Sequence, residues 1–263
     1  MTQGIDVSTF QGTIDWRNVK ANGIDFSIIR AGYGRNISQK DEKFEQNYQG
    51  CRTNNINTGA YWYSYATSPE DARLEASACL NVLAGKVFEY PVYFDIEDKA
   101  QASLPKNRIQ DITVTFCNIL ESAGYWVGIY SYKSFLETNF TKELLERYSV
   151  WVAHTGVSKT NYSYPYGIWQ YSHNGKIDGI NGAVDLNYSY TDYPDLIRSA
   201  GKNGYIPNDD TQYILHTVRK NESLWSISEK YLGNGTRYPE IKVLNNLSTD
   251  TIYEGQVLKI INE

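Results

Sequence analysis

Eight short apolar runs with strand character recur over roughly the first 190 residues, most of them separated by helix-like stretches, and this alternation restricts the fold more than any other feature. The runs are GIDVS (4–8), FSIIRAGYG (26–34), GAYWYSYA (59–66), YPVYFDIED (90–98), WVGIYSY (126–132), VWVAHTG (150–156), YGIWQYS (166–172) and AVDLNY (183–188). The clearest helix spans 107–123, where Ile109, Ile112, Phe116, Ile119 and Leu120 fall on one face and Gly124 follows as a stop. Further helices are expected at 40–54, 68–84 and 141–148. Alternating strands and helices favour parallel pairing, and eight strands in so short a stretch favour closure into a barrel. The gaps between 156 and 188 are too short for crossover helices. The late strands should therefore be joined by loops or hairpins, and the barrel should be irregular.

The segment SAGKNGYIPNDDTQ has no apolar period and reads as a linker. This predicts a barrel over 1–198, a linker over 199–212 and a small strand–helix–helix–strand domain over 213–263. The net charge of −5 argues against phosphate-backbone binding, so nucleic acid is not expected as a partner. From Thr211 onward six basic residues balance six acidic ones, so the whole excess lies in residues 1–210. Cys51, Cys79 and Cys117 lack metal-ligand spacing and read as reduced core thiols. No apolar run is long enough to cross a membrane, and MTQGIDVSTFQG lacks the pattern of a secretory signal.

The run YFDIED carries the chemistry. On a strand spanning 90–98, Tyr93, Asp95 and Glu97 share one face and Val92, Phe94 and Ile96 the other. The apolar face can meet helices, which turns the acids into the barrel. Two carboxyls whose Cα atoms lie roughly 6.5 Å apart repel if both ionise, so one pKa should rise, giving a proton donor beside an anion. Asp6 and Asp185 are likewise single acids set in apolar strands. Burying unpaired carboxylates is costly, and closing the barrel would bring strands 1 and 8 together, so a shared acidic site is expected. Metal binding is the rival use of such a cluster, but His154, His173 and His216 are not paired at ligand spacing. No metal or other cofactor is expected.

In order along the chain, GIDVSTFQG, IIRAGYG, GAYWYSYA, DIE, GIYSY, GIWQYS and VDLN make residues 4–188 resemble the glycoside hydrolase family 25 lysozymes, the muramidases of the Chalaropsis type. The resemblance implies an α/β fold, an irregular, flattened TIM-like (β/α) barrel of eight strands, and cleavage of the β-1,4 bond between N-acetylmuramic acid and N-acetylglucosamine. Carried over residue by residue, it implies Glu97 as general acid/base, with Asp95, Asp6 and Asp185 as the other site acids. Asp95 could attack directly or steady the substrate's own N-acetyl group, and spacing does not choose between them. Tyr63, Tyr130 and Trp169 are the expected sugar-stacking rings, with Tyr61, Trp62 and Arg30 as further substrate contacts.

Residues 213–261 resemble a LysM module, through YILHTVRKNESLWSISEKYLG and YPEIKVLNNL with DTIYEGQVLKI. This implies an α+β domain that binds N-acetylglucosamine-containing chains through Asn221, Glu222, Ser223 and Leu224 on one loop and Asn245, Asn246 and Leu247 on another. The usual Gly-Asp-Thr turn reads Asn-Glu-Ser here. Asn tolerates positive φ and Ser can cap the helix, so the fold should survive while the glycan contacts of this turn are less secure. The expected partner is the glycan strand of bacterial peptidoglycan, with no membrane insertion and with the oligomeric state open between monomer and weak dimer. A peptidoglycan hydrolase anchored to the wall is the reading. With no export signal seen, a phage lysin or a non-classically exported protein fits. The rivals are a non-catalytic peptidoglycan- or chitin-binding protein and an amidase acting on the stem peptide.

Overall fold

The computed structural model describes residues 1–206, 213–245, 247 and 249–261. The chain divides into two compact units, Met1–Pro207 and Asn208–Glu263.

The first unit is a closed barrel of eight strands: β1 (Thr2–Val7), β2 (Phe26–Tyr33), β3 (Asn57–Tyr63), β4 (Val92–Asp95), β5 (Val127–Tyr132), β6 (Ser149–Ala153), β7 (Ile168–Gly175) and β8 (Val184–Ser189). Each strand of the expected set is present. β1 to β7 pair in parallel, and β8 runs antiparallel to both β7 and β1. Residues 154–167 join β6 to β7 without a helix, and 176–183 turn the chain back into β8, so the late strands are connected as the short gaps require. Two register shifts in the β7–β8 ladder add to the irregularity.

Helices α1 (Trp16–Ala21), α2 (Phe44–Thr53), α3 (Pro69–Leu83), α4 (Lys99–Ala102), α5 (Lys106–Ser122), α6 (Lys133–Asn139), α7 (Lys142–Arg147) and α8 (Tyr193–Ser199) belong to this unit. α3 begins because Ser68 Oγ accepts from Asp71 N and Pro69 fixes φ at the first position. α5 ends where Gly124 takes φ of +90°, a conformation that costs other residues a Cβ clash. Its buried face, Ile109, Ile112, Phe116 and Leu120, covers the outer face of the sheet, where Phe116 stacks on Phe94 at 4.4 Å. Each such side chain contributes about 1.5–3 kcal/mol. Cys51, Cys79 and Cys117 are free and buried in the same layer.

Inside the barrel, Phe26, Tyr90, Tyr93, Trp151 and Tyr193 form a second buried cluster, with Phe26 stacked on Tyr90 at 4.3 Å. Strands lie close here: a Cβ on Gly128 would sit 2.4 Å from the Tyr93 ring. This aromatic packing fills one end of the barrel and leaves the acids to the other.

The first part of the expected linker is part of the barrel unit. Asn203 is wholly buried, its Oδ1 accepting from Trp126 N at 2.7 Å and its Nδ2 donating to Tyr90 O at 2.8 Å. The Tyr205 hydroxyl hydrogen-bonds Glu89, which also holds Arg52. Polar composition reads as a linker, but those polar groups are spent on barrel backbone. Residues 207–212 lie outside the described residues.

In the second unit, β9 (Tyr213–Thr217) pairs antiparallel with β10 (Val257–Ile261), and α9 (Leu224–Leu232) and α10 (Tyr238–Leu244) lie between them in sequence. Val218, Leu224, Ile227, Leu232, Ile241, Leu258 and Ile260 form its own core.

Candidate active site

Asp6, Asp95, Glu97 and Asp185 line one cavity of about 160 Å³, together with Phe10, Arg30, Tyr61, Tyr63, Tyr130 and Trp151. The barrel topology brings them together. Asp6 lies directly opposite Asp185 across the β1–β8 pair, and Asp95 is in register with Tyr63 on one side and Tyr130 on the other. β4 ends at Asp95, so Glu97 stands beyond the strand, contrary to the expected strand over 90–98. Its approach is still extended along β5: Ile96 N donates to Tyr130 O at 3.1 Å, and Ser131 Oγ donates to Ile96 O at 2.6 Å. The alternation therefore persists past the strand end, and Val92, Phe94 and Ile96 pack outward while Asp95 and Glu97 face the cavity.

Gln170 and Asn187, which sequence reasoning missed, organise the acids. Gln170 Nε2 donates to Asp6 Oδ2 at 2.9 Å and to Asp185 Oδ2 at 3.2 Å, while its Oε1 accepts from Tyr130 OH at 2.9 Å. Asn187 Nδ2 donates to Asp6 Oδ2 at 2.7 Å, and its Oδ1 accepts from Trp151 Nε1 at 2.8 Å. The Tyr and Trp donors fix both amides so that their NH₂ groups meet carboxylate oxygen. The signal available in the sequence was parity: Asn187 is two residues from Asp185, and Gln170 pairs with Asn187 across β7–β8.

Burial above all, then Asp185, pushes the Asp6 carboxyl up to about 7. Asp95 is raised well above the usual carboxylate range, first by burial and next by Glu97 and Asp6, and its Oδ1 has no hydrogen-bond partner among the described residues. Glu97 is raised by burial, with the His173 charge acting against the rise. His173 Nδ1 lies 3.5 Å from Asp185 Oδ1, and this pairing is the main reason its pKa is raised. Carboxyls that repel each other in a dry cavity hold a proton to higher pH than isolated ones do. The arrangement can donate a proton and keep an anion beside it.

Tyr61, Tyr63, Tyr130 and Arg30 line the cavity. Arg30 Nε is committed to the buried Asp41 at 2.7 Å, and its guanidinium lies over the Phe10 ring at 4.9 Å. Trp62 and Trp169 do not line it. With Tyr61 and Tyr63 turned inward, the two-residue period sends Trp62 outward, where it is fully buried and its Nε1 donates to Gly34 O at 2.9 Å. With Gln170 inward, Trp169 likewise packs outside against Tyr171 and Tyr188. A wider groove of about 590 Å³ shares Phe10, Arg30 and Tyr63 with the acid cavity and adds Tyr33 and Tyr65. These rings offer flat apolar faces beside the acids. A depression of about 600 Å³ around Trp126, Tyr148 and Tyr166 contains none of the four acids, so volume alone does not identify the site. Among the described residues no group of three or more His, Cys, Asp or Glu is arranged to hold a metal ion, and no helix is long and apolar enough to cross a membrane.

In the second unit, Asn221 takes φ of +68° and Ser223 caps α9, accepting from Ser226 N at 3.2 Å. The substituted turn therefore folds as the residue types allow. Glu222 is occupied in closing it, taking Arg219 N at 2.7 Å and His216 Nε2 at 2.6 Å. Leu224 is buried in the core rather than offered to a ligand. Asn245 spends its amide on Ile241 O, Lys259 O and Lys259 N, each at 2.8 Å, pinning α10 to β10. Leu247 packs against the core, and Asn246 lies outside the described residues. Of the expected glycan contacts described here, Asn221 and Ser223 are the exposed ones.

Comparison with known proteins agrees with both units. The profile of Glycosyl hydrolases family 25 matches residues 5–180, and that of the LysM domain matches residues 216–260. The autolytic lysozyme of Clostridium acetobutylicum is 29% identical over 185 residues, which are 70% of this chain and 55% of that protein. Lysozyme M1 of Streptomyces globisporus is 31% identical over 201 residues, covering 70% of this chain and 66% of its own length. The crystal structure of the bacterial lysozyme from Streptomyces coelicolor superposes with a TM-score of 0.66 at 29% identity, over 76% of this chain and 96% of that one. With the barrel, its four converging acids and these matches in agreement, the chain belongs to Glycosyl hydrolases family 25 and carries a LysM domain at residues 216–260.

Proposed function

We propose that this protein is a peptidoglycan hydrolase of the lysozyme type, cleaving the β-1,4 bond between N-acetylmuramic acid and N-acetylglucosamine while its LysM domain holds it to the bacterial wall. The convergence of Asp6, Asp95, Glu97 and Asp185 on one aromatic-rimmed cavity carries this reading. Glycoside cleavage passes through an oxocarbenium-like state, which needs a proton for the leaving oxygen and negative charge beside the anomeric carbon. Glu97, partly open to solvent and raised in pKa, is the proton donor and later the base that activates water. Asp95, deeper and in repulsion with Glu97, carries the negative charge while Glu97 holds the shared proton, so the anion is in place as that proton passes to the leaving oxygen. Its unpartnered Oδ1 suits either attack on the anomeric carbon or acceptance of the N-acetyl N–H. Gln170 and Asn187 hold Asp6, and through Gln170 also Asp185, so the inner wall of the cavity is set before substrate arrives.

The wall is then the place of action and its glycan strands the partner. Purified walls incubated with wild type and with Glu97→Gln test the assignment. Losing the proton donor should lower the release of reducing ends by about 10²–10⁴-fold. Equal release by both proteins would remove Glu97 from the role.

A further inference from the structure

Four carboxyls crowd this cavity and two cations adjoin it. Arg30 faces Asp95 and has its Nε tied to Asp41. The other is His173, on β7 beyond the register shift that follows Gln170, so that strand parity does not dictate where it stands. It is half-exposed, and its Nδ1 meets Asp185 Oδ1 at 3.5 Å while the other oxygen of Asp185 accepts from Gln170. His173, Asp185, Gln170 and Asp6 thus form one continuous chain of polar contacts from solvent to the buried wall of the cavity.

We propose that His173 is a positioning residue of this site: its imidazolium pairs with Asp185 from the solvent side and sets where on the pH scale the acid cluster holds the proton distribution that cleavage needs. This rests on the hydrolase reading above. The charged groups facing His173 are Asp185 on β8, Asp6 on β1 and Glu97 after β4. On the open side, Lys133 of α6 and His154 after β6 line the adjoining depression. Lys133 is occupied by Glu137 at 2.7 Å and His154 Nδ1 by Thr160 Oγ1 at 2.9 Å, so neither replaces the imidazolium at Asp185. A positive charge at this point favours the ionised forms of Glu97 and Asp6 as well, in keeping with the direction in which it acts on both. Removing it should therefore move both limbs of the rate profile the same way, toward higher pH. A hairpin contact that was merely structural would lower the rate and leave the limbs in place.

The test measures kcat/KM of the full chain on soluble peptidoglycan fragments from pH 4 to 9 at low salt, for wild type, His173→Gln and His173→Lys. The Gln variant should shift both limbs upward by roughly 0.5–1 pH unit, and the Lys variant, which keeps the charge, should restore them. Unmoved limbs in Gln, or the same shift in Lys as in Gln, would overturn the inference. NMR titration gives a readout independent of turnover, because the chain has three histidines. The His173 midpoint should fall by roughly one unit in Asp185→Asn, and an unchanged midpoint would overturn the pairing. A wild type that leaves peptidoglycan intact would instead refute the hydrolase reading, with the NMR result still deciding the pair.

Discussion

Replacing Asp6 by Asn should stabilise the barrel, by an amount that depends on pH. Both donors that hold Asp6, Gln170 Nε2 and Asn187 Nδ2, bond to the same carboxylate oxygen, Oδ2. An Asn side chain can set its carbonyl oxygen in that position, so both hydrogen bonds survive. What changes is the charge. Burial first, and Asp185 second, carry the Asp6 carboxyl from 3.8 to about 7. Between those values the folded protein binds more protons than the unfolded one, so wild-type stability falls as pH rises through the interval and levels off above about 7. A shift of about three units corresponds to a cost of roughly 4 kcal/mol for ionising Asp6 inside the fold. Asn has no proton to lose there. The variant should match wild type near pH 4 and exceed it by up to about 4 kcal/mol at pH 8, or about 8–16 °C in the melting temperature of a unit this size. Losing the Asp6 charge also relieves Asp95, which acts in the same direction. Calorimetry of both proteins from pH 4 to 8, following the barrel transition, measures the difference. Parallel stability curves across that range would refute the reasoning, as would a variant less stable than wild type at pH 8.

Two further outcomes separate site from scaffold. Trp62→Ala should cost about 3–5 kcal/mol of barrel stability, seen in a thermal melt, while changing turnover of soluble fragments by the folded protein less than about threefold, because Trp62 faces away from the cavity. Asn245→Ala should lower the stability of the LysM unit by about 1–3 kcal/mol, because it removes two hydrogen bonds to the β10 backbone and one to the last turn of α10; weaker wall binding with unchanged melting would instead make Asn245 a glycan contact.

Much of the acid site was legible because a lone carboxyl in an apolar strand has few structural uses. Asp6, Asp95 and Asp185 each stand in such a run, and closure of the barrel brings them together. The aromatic assignments failed where the two-residue period was not carried through: one face cannot hold both Tyr61 and Trp62, and Gln170 facing in sends Trp169 out. Gln170 and Asn187 were overlooked because amides carry no charge signal, although parity with Asp185 would have found Asn187. His173 lay beyond that rule, since the shifts in the β7–β8 ladder break the alternation. Polar composition misassigned 199–206, where Asn203 spends its side chain on buried backbone. Leu224 illustrates a different limit: it follows a capping Ser on an exposed turn, yet the first helical turn directs it into the core.

Mass spectrometry of the fragments released from purified peptidoglycan by the full chain addresses the central claim directly. Cleavage by the acid cluster should yield disaccharide-peptides with new reducing ends at N-acetylmuramic acid and no new free amines. New amines with intact glycan strands, or reducing ends at N-acetylglucosamine, would contradict the proposed reaction.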